Sequence, residues 1–349
     1  MKLSDVYQHT GLWMDGSGPK SDVVISSRIR LARNIDGFLF YSHASTEQRS
    51  ELLDFIHGRI LETDLRDRIW YVDIQQAGPL ERQILKERQL ISKQLAEGDG
   101  SRGVAISHDE SLSVMINEED HLRIQMLASG LQLHETYDQI YRVETILEEK
   151  MDYAFSPQYG YLTACPTNVG TGIRVSVMLH LPALKMTGQI EKVFQAAKDM
   201  SLTVRGLFGE GSEPIGDFFQ LSNQTTLGKT EKQIMDELIR YAINPVVEYE
   251  RIARQRLVKD KLTALDDKVY RSLGLLTNAR MISTEESLFL LSYLRLGVQL
   301  GRIKNLNLET INELFILTQP AHLQNLQHRS LESSERDIAR ADFIRDRLK

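Results

Sequence analysis

The stretch VMINEEDHLRIQM (residues 114–126) places three carboxylates side by side, Glu118, Glu119 and Asp120. The residues before and after them alternate between apolar and polar side chains, as in β-strands, so the carboxylates occupy a turn between two predicted strands. Crowded like charges cost free energy, and the cost rises where water is partly excluded. A cationic group facing this turn would offset that cost, and a carboxylate there could orient the cation or accept its proton.

Five arginines lie on the polar faces of predicted strands or next to glycine. Taken singly, each is typical of the solvated face of a half-exposed sheet. Several of them abut serine or glycine, as expected of a surface that faces a ligand. Together they would repel one another unless a polyanion lay among them, and a nucleoside triphosphate fits because the guanidinium fork matches phosphate oxygens. The five are Arg28, Arg30, Arg123, Arg174 and Arg205.

The familiar phosphate-binding loops are missing from the sequence. The segments GSGPKS (16–21) and LGKT (227–230) do not fit the pattern G-x-x-x-x-G-K-[ST]. The segment NVGTGIR (168–174) lacks the third glycine of a dinucleotide-binding fingerprint. A nucleotide would therefore be held without a Walker A loop.

Composition excludes several classes of protein. A net charge of −6 over 349 residues gives no overall basic field for nucleic acid or an anionic membrane. The single cysteine, Cys165, rules out an internal disulfide and favours a reducing compartment. No apolar run approaches the roughly 18 residues that span a bilayer, and the first residues lack the apolar core of a signal peptide. We therefore expect a cytoplasmic protein.

The elements that position these residues change character along the chain. In the first part, strand patterns are separated by helical stretches such as 46–61 and 181–200. The later part is helical almost throughout, and Pro245 should kink or end its first long helix. We predict a mixed α and β domain over residues 1–228 and an all-helical domain over residues 229–349.

Four separated motifs, SSRIR, NEEDHLR, CPTNVGTGIR and RGLFGE, occur in this order. With them the chain resembles the phosphagen (guanidino) kinases, the family of creatine and arginine kinase, over residues 22–228. The helical N-terminal domain of the small-guanidine kinases is missing and a helical domain follows instead, which is similar to the bacterial branch that phosphorylates arginine in proteins. The resemblance implies an α+β fold, with an antiparallel sheet flanked by helices as in glutamine synthetase. It also implies ATP as a substrate, with Mg²⁺ held through the nucleotide and not by the protein.

The functional residues of the family carry over by position. Its essential carboxylate matches Glu119, its second substrate-side carboxylate matches Glu210, and its reactive cysteine matches Cys165. Where relatives carry aspartate and histidine near the nucleotide, this chain has Gln220 and Gln89. The residues so assigned to ATP are Ser26, Ser27, Arg28, Ile29, Arg30, Gln89, Arg123, Arg174, Val175, Ser176, Val177, Met178, Arg205, Gly206, Leu207, Phe208, Gly209 and Glu210.

An arginine acceptor sets the chemistry that the carboxylates must do. A guanidinium pKa of roughly 12.5–13.8 makes full deprotonation at pH 7 cost about 7–9 kcal/mol, beyond the reach of an ordinary carboxylate. Two carboxylates can instead fork the guanidinium and accept the proton as the N–P bond forms. Glu119 would be the main base and Glu210 the second anchor. A lone cysteine is most often a small buried apolar residue, but Cys165 is expected to contact the guanidinium as a partly ionised thiolate.

The motif RDIARA (336–341) lies in the last predicted helix. As sequence alone it is typical of a solvated charged face. The resemblance implies instead an allosteric phosphoarginine site made by Arg336, Asp337, Arg340 and Ala341. It further implies a homodimer and, as partners in stress response and protein quality control, an McsA-like zinc-binding activator, the CtsR repressor and the ClpC protease system.

Three functions remain open at this point. The first is a kinase of arginine residues in proteins, and the second a kinase of free arginine or another small guanidine. The third is an inert adaptor that binds phosphoarginine, against which the intact Glu119, Glu210 and arginine set argue.

Overall fold

The computed structural model describes residues 11–206 and 215–349. Within them the strands are β1 (Val24–Arg33), β2 (Ile69–Asp73), β3 (Gly103–Ser107), β4 (Leu112–Ile116), β5 (Leu122–Ser129), β6 (Phe155–Ser156), β7 (Gly160–Tyr161), β8 (Ile173–His180), β9 (Leu202–Arg205) and β10 (Phe218–Asn223). Eight of these described strands form one antiparallel sheet in the order β2-β3-β4-β5-β1-β8-β10-β9, and β6 pairs with β7 in a small hairpin.

Helices flank the sheet and then make up the rest of the chain. They are α1 (Thr46–Leu61), α2 (Pro79–Glu87), α3 (Lys93–Glu97), α4 (Leu133–Glu148), α5 (Pro182–Met186), α6 (Ile190–Asp199), α7 (Glu231–Glu237), α8 (Asn244–Asp260), α9 (Leu262–Asn278), α10 (Thr284–Gln299), α11 (Leu308–Leu317), α12 (Pro320–Leu326) and α13 (Ser333–Arg347). The predicted α+β class, with an antiparallel sheet ahead of a helical region, is confirmed.

Strand β1 lies in the middle of the sheet, between β5 and β8. Its odd-numbered residues Ile29 and Leu31 are buried in the main hydrophobic core, on the face against which α4 packs. Since side chains alternate along a strand, its even-numbered residues Arg28 and Arg30 point to the opposite face. That second face carries the candidate site.

One predicted helix is divided in two, and another is interrupted where a kink or an end is expected. The stretch predicted as one helix over 181–200 is two helices, α5 and α6, because Gly188 between them takes a left-handed backbone (φ 69°). In the helical region the expected kink is a π-helical turn, Leu238–Ile243, directly ahead of Pro245 in the first turn of α8. Proline has no N–H for the preceding turn, and a π turn absorbs that mismatch. The predicted helix over 46–61 is confirmed as α1.

A buried charge pair ties the helices after residue 230 to α5, the helix that follows β8 of the sheet. The Glu250 carboxylate accepts hydrogen bonds from the backbone N–H of Ala183 (3.1 Å) and of Leu184 (2.9 Å), at the start of α5. It also pairs with Arg254, at 2.8 Å. These contacts compensate two charges that would be costly if buried alone. The domain boundary near residue 228 stays a prediction. In the part of the chain that the structure describes, no helix is both long and apolar enough to cross a membrane.

Candidate active site

The strand register places the five arginines on one face of the sheet. Arg30 lies opposite Arg174 in the β1–β8 pair, and Ala32 of β1 lies opposite Arg123 of β5. On the far side, Arg205 of β9 lies opposite Gln220, which in turn lies opposite Met178 of β8. Residues directly opposite each other share a face of the sheet. Each of these cross-strand rows meets β1 at a residue an even number of positions from Arg28, so all the rows lie on the face of Arg28. One floor therefore carries all five guanidinium groups.

A cavity of about 510 Å³ opens above this floor. Basic side chains line one part of it and the carboxylate turn another, so the two sets singled out in the sequence meet. Its lining includes Arg30, Arg123, Arg174, Arg205, Glu118, Glu119, Asp120 and Cys165. Arg28 lies beyond Arg30 on the same strand. The cavity can thus hold an anionic and a cationic group side by side.

The arginine floor is electrostatically strained. Burial, with the charges of Arg123, Arg205 and Arg174, lowers the pKa of Arg28 to about 9. Burial, with the charges of Arg123, Arg28 and Arg174, holds the pKa of Arg30 well below its ordinary value, although Glu118 opposes the shift. Both shifts mean that the cationic forms are disfavoured in this fold, so a bound polyanion would relieve them.

Unsatisfied polar atoms mark the same face. Among the described residues, the Nε of Arg30, the Nε2 of Gln220 and the Oγ of Ser222 are buried without a hydrogen-bond partner. Buried polar groups rarely go unpaired, and each such atom invites an explanation such as a missing ligand. The donors of this floor fit the phosphate oxygens of a nucleotide.

The carboxylate turn separates three acidic residues into different environments. Glu118 is buried and forms an ion pair with Arg123 and a hydrogen bond with the Ser92 hydroxyl. Burial alone would raise the pKa of Glu118, but the charge and hydrogen bonds of Arg123 and the Ser92 bond hold it below its ordinary value. Glu119 is half-buried and lines the cavity. The turn thus leaves Glu119 facing the cavity, whereas Glu118 holds Arg123 of the arginine floor.

Asp120 connects the carboxylate turn to the cysteine loop. Its Oδ1 accepts hydrogen bonds from the Ala164 N–H and from the Asn34 side chain, both at 2.7 Å. The Asn34 amide also donates to the Leu162 carbonyl, at 3.0 Å. Burial raises the pKa of Asp120 above its ordinary value, although these hydrogen bonds oppose the rise. Asp120 therefore positions Cys165 relative to Glu119.

Removal of the Asp120 hydrogen bonds should weaken binding of the guanidinium substrate more than binding of ATP. In Asp120→Ala we expect KM for the guanidinium substrate to rise about tenfold, because one charge-assisted hydrogen bond contributes roughly 1.5–3 kcal/mol, while KM for ATP changes little. Steady-state kinetics with each substrate varied in turn would measure this. Asp120→Asn keeps an acceptor oxygen and should recover most of the loss. An equal rise in both KM values would show that Asp120 acts only on the fold.

Cys165 lines the same cavity as the carboxylate turn. Cys165 is half-buried at the start of a single 3₁₀ turn, Pro166–Asn168, and its Sγ lies 3.0 Å from the Thr167 hydroxyl oxygen. Glu210, Leu207, Phe208 and Gly209 lie outside the described residues, so the second anchor stays a prediction.

The two glutamines that depart from the family meet at Arg28. The guanidinium of Arg28 donates to Oε1 of Gln220 (2.6 Å), to Oε1 of Gln89 (3.3 Å) and to the Ser176 hydroxyl (3.3 Å). Gln89 itself takes a left-handed backbone, with φ of 59°. Both amides keep an acceptor for the arginine without adding charge.

Some residues assigned to ATP point away from the cavity. Ile29, Val175 and Val177 are fully buried in the hydrophobic core, and the Ser27 hydroxyl donates to the Gly130 carbonyl at 2.8 Å. The structure therefore does not bring these four side chains to the arginines. Alternation along the strand places Ile29 on the opposite face from Arg28 and Arg30. The match to the family motif had assigned all three residues to ATP. Ser26, Ser176 and Met178 lie on the arginine face.

The structure adds cavity residues that the sequence reasoning missed. The additional polar side chains in the lining are those of Gln94, Thr167, Asn168, Thr203 and Gln224. Thr203 had a usable signal, because it precedes Arg205 by two positions on a strand. Gln94 had none, since its helix α3 reaches the cavity only through the tertiary fold.

The RDIARA segment lies in α13. Arg340 is buried and donates to the Thr318 and Ile282 carbonyls, at 2.9 and 2.7 Å, and to the Asp337 carboxylate at 2.7 Å. Burial lowers the pKa of Arg340, although Asp337 opposes the shift. Arg336 donates to the Leu331 carbonyl at 2.6 Å, and Ala341 is buried. Arg340 therefore orients Asp337, which stays partly exposed.

Comparisons with known proteins agree along the whole chain. Residues 56–253 match the family model described as ATP:guanido phosphotransferase, C-terminal catalytic domain, and residues 262–349 match that of the protein-arginine kinase McsB C-terminal domain. A protein-arginine kinase of Halothermothrix orenii is 43% identical, with 100% of this chain and 99% of the relative covered. One of Bacillus subtilis is 46% identical, over 96% of this chain and 93% of the relative.

Solved structures show similarity to the same fold. The duplicated taurocyamine kinase of Schistosoma mansoni, with bound transition-state-analogue components, superposes with a TM-score of 0.61 at 27% identity. The match covers 69% of this chain and 34% of that one, so this chain spans about a third of that duplicated protein. Lombricine kinase superposes with a TM-score of 0.59 at 23% identity, over 71% of this chain and 70% of that one.

Proposed function

The chain belongs to the ATP:guanido phosphotransferase family, among its protein-arginine kinases, and from this premise we propose that it transfers the γ-phosphoryl group of ATP to arginine side chains in proteins. As a member of this family it is an ATP-dependent phosphotransferase. The observation that carries the proposal is the single cavity shared by the arginine floor, Glu119 and Cys165. A triphosphate fits the floor, and a planar cation fits the carboxylate side.

Each group of residues has a distinct part in the transfer. The arginine floor holds the phosphates and opposes the charge that develops on the transferring group. A guanidinium nitrogen attacks the γ-phosphorus, the bond from that phosphorus to the β–γ bridging oxygen breaks, and ADP leaves with its electron pair. The nitrogen proton passes to Glu119 as the N–P bond forms, so the full cost of prior deprotonation is avoided.

Mg²⁺ would reach this site with the nucleotide. The ion supplies further charge neutralisation at the phosphates. In the described residues no group of three or more His, Cys, Asp or Glu side chains is placed to hold a metal ion, and Glu118 and Asp120 already accept hydrogen bonds from protein donors. From family membership we propose that ATP carries the ion.

Mass spectrometry would test the proposed activity. An unfolded, reduced and alkylated protein is incubated with the enzyme, ATP and Mg²⁺ and handled near neutral pH, because N–P bonds are labile in acid. We expect a phosphoryl mass on arginine residues, with free arginine tested in parallel. Phosphorylation of free arginine alone would favour the small-guanidine kinase, and binding of phosphoarginine without transfer would favour the adaptor.

The α13 segment supports a proposal of regulation by phosphoarginine. Arg340 donates to the Asp337 carboxylate, and this supports the proposal that Asp337 would receive the guanidinium end of phosphoarginine. In Asp337→Ala we expect phosphoarginine affinity to fall at least tenfold, since hydrogen bonds to charged groups contribute about 1.5–3 kcal/mol. Calorimetric titration with phosphoarginine and then with ATP would measure both affinities, and the ATP affinity should stay unchanged. Equal phosphoarginine binding by the variant and the parent would contradict this assignment.

The wider setting is also proposed from family membership. We place the enzyme in the cytoplasm as a homodimer, acting in stress response and protein quality control. Its partners there would be an McsA-like activator, the CtsR repressor and the ClpC protease. Co-purification from stressed cells, compared with a Glu119→Gln variant, would test these partners.

A further inference from the structure

Three large apolar side chains stand exposed in one shallow depression. Phe155 is 57% exposed, Tyr159 is 50% exposed and Leu227 is 60% exposed. They line the same depression of about 390 Å³. We call these three residues the aromatic shelf. Contiguous exposed apolar groups of this kind often mark interaction sites.

The aromatic shelf adjoins the candidate active site. Thr171 lines the shelf depression and its neighbour Gly172 lines the catalytic cavity. Consecutive Cα atoms lie about 3.8 Å apart, so the two walls meet within one residue. A second chain segment also runs from one wall to the other: Gln224 lines the catalytic cavity and Leu227 lines the shelf depression.

Hydrogen bonds fix these two segments to each other. The Thr226 hydroxyl donates to the Val169 carbonyl at 2.7 Å and lies 3.2 Å from the Thr167 carbonyl oxygen. The backbone approach is close as well, because a Cβ on Gly170 would lie 3.2 Å from the Cα of Leu227. The shelf is thus held in place beside the cysteine loop.

The neighbouring LGKT segment is structural. Gly228 takes a left-handed backbone (φ 83°), and Thr230 caps α7 by accepting a hydrogen bond from the Gln233 N–H. Lys229 pairs with Glu237, at 2.5 Å. This arrangement turns the chain into a helix and leaves the Leu227 side chain facing solvent, with no packing role that would explain its exposure.

We propose that the aromatic shelf binds an apolar side chain of the protein substrate, located about two to four residues from the target arginine. The proposal rests on the proposed function, because only an acceptor within a polypeptide has chain running out of the cavity. An extended chain advances about 3.3 Å per residue, so residues at that spacing pass over the shelf. Apolar residues are exposed in unfolded chains and hidden in folded ones, so the shelf selects unfolded substrates.

Two peptides test the proposal. Both are acetylated heptapeptides with a central arginine; one has glycine elsewhere, and the other has phenylalanine three residues from the arginine on each side. We expect the parent enzyme to prefer the phenylalanine peptide by about tenfold in kcat/KM, the equivalent of partial burial of one aromatic side chain. In the double variant Tyr159→Ser, Leu227→Ser this ratio should fall to about one. The kcat/KM for the glycine peptide and KM for ATP should stay unchanged.

A matched control is available at Leu12, which is 58% exposed and belongs to neither cavity lining. Leu12→Ser should keep the parent's preference. The shelf proposal is wrong if the double variant still prefers the phenylalanine peptide, or if the parent enzyme shows no such preference. Neither result would contradict arginine phosphorylation itself. Failure of the parent to phosphorylate either peptide or an unfolded protein would overturn the proposed function, and the shelf with it.

Discussion

Glu119→Gln is expected to lower kcat about 10²- to 10⁴-fold, the usual contribution of a positioned acid or base. Glutamine has nearly the same shape but cannot take the proton from the guanidinium nitrogen as the N–P bond forms. ATP affinity should change less than twofold, because we propose that the nucleotide binds on the arginine floor and not at Glu119. Single-turnover phosphorylation of an unfolded protein would measure the chemical step, and calorimetry the ATP affinity.

Glu118→Gln is the matched control, one residue away in the same turn. Glu118 is buried against Arg123, so its neutralisation should lower the free energy of unfolding by about 3–5 kcal/mol, as expected when a buried ion pair is broken. Glu119→Gln should leave the melting temperature close to that of the parent. Near-normal turnover by Glu119→Gln would remove it from the role of base, whatever its effect on stability.

Strand alternation made the arginine floor largely predictable. Arg28 and Arg30 had to share a face of one strand, and the register then adds Arg174 directly opposite Arg30. The class of fold followed from the same local patterns and from the family motifs. The face that each arginine occupies on its own strand depends on residues close in sequence, and period-two alternation reports it well. The pairing of β1 with β8 is a tertiary feature that alternation does not report.

The division of labour among the three carboxylates could not be predicted in this way. Their side chains are chemically nearly the same, and they differ in the hydrogen-bond partners that distant parts of the chain supply. Ser92 donates to Glu118, and Asn34 and Ala164 donate to Asp120. Sequence spacing carries no information about such tertiary partners. The split of the 181–200 helix at Gly188 had a local signal, but helical periodicity outweighed a single glycine.

Arg30→Met is expected to impair catalysis and to stabilise the nucleotide-free protein. Loss of one preorganised donor to the transferring phosphate should lower kcat/KM about 10²- to 10³-fold. Arg30 is only 9% exposed and its Nε lacks a partner among the described residues. Burial, together with the neighbouring guanidiniums, holds its pKa well below the ordinary value. Replacing such a buried charge with an apolar side chain is often stabilising, by about 1–4 kcal/mol. Thermal unfolding with and without ATP would show a higher melting temperature and a smaller ATP-induced rise.

The same substitution three residues along β1 should have the opposite effect on stability. Arg33 is more deeply buried than Arg30, but it pairs with the Glu144 carboxylate (Nε to Oε1, 2.6 Å) and donates to the Thr171 carbonyl. Arg33→Met would leave Glu144 buried without its cation, which costs about 3–5 kcal/mol. Opposite shifts in melting temperature for the two variants would mean that Arg30 is retained for its ligand and Arg33 for the fold. A destabilised Arg30→Met with an unchanged response to ATP would instead make the floor a structural feature, and the triphosphate would have to bind elsewhere.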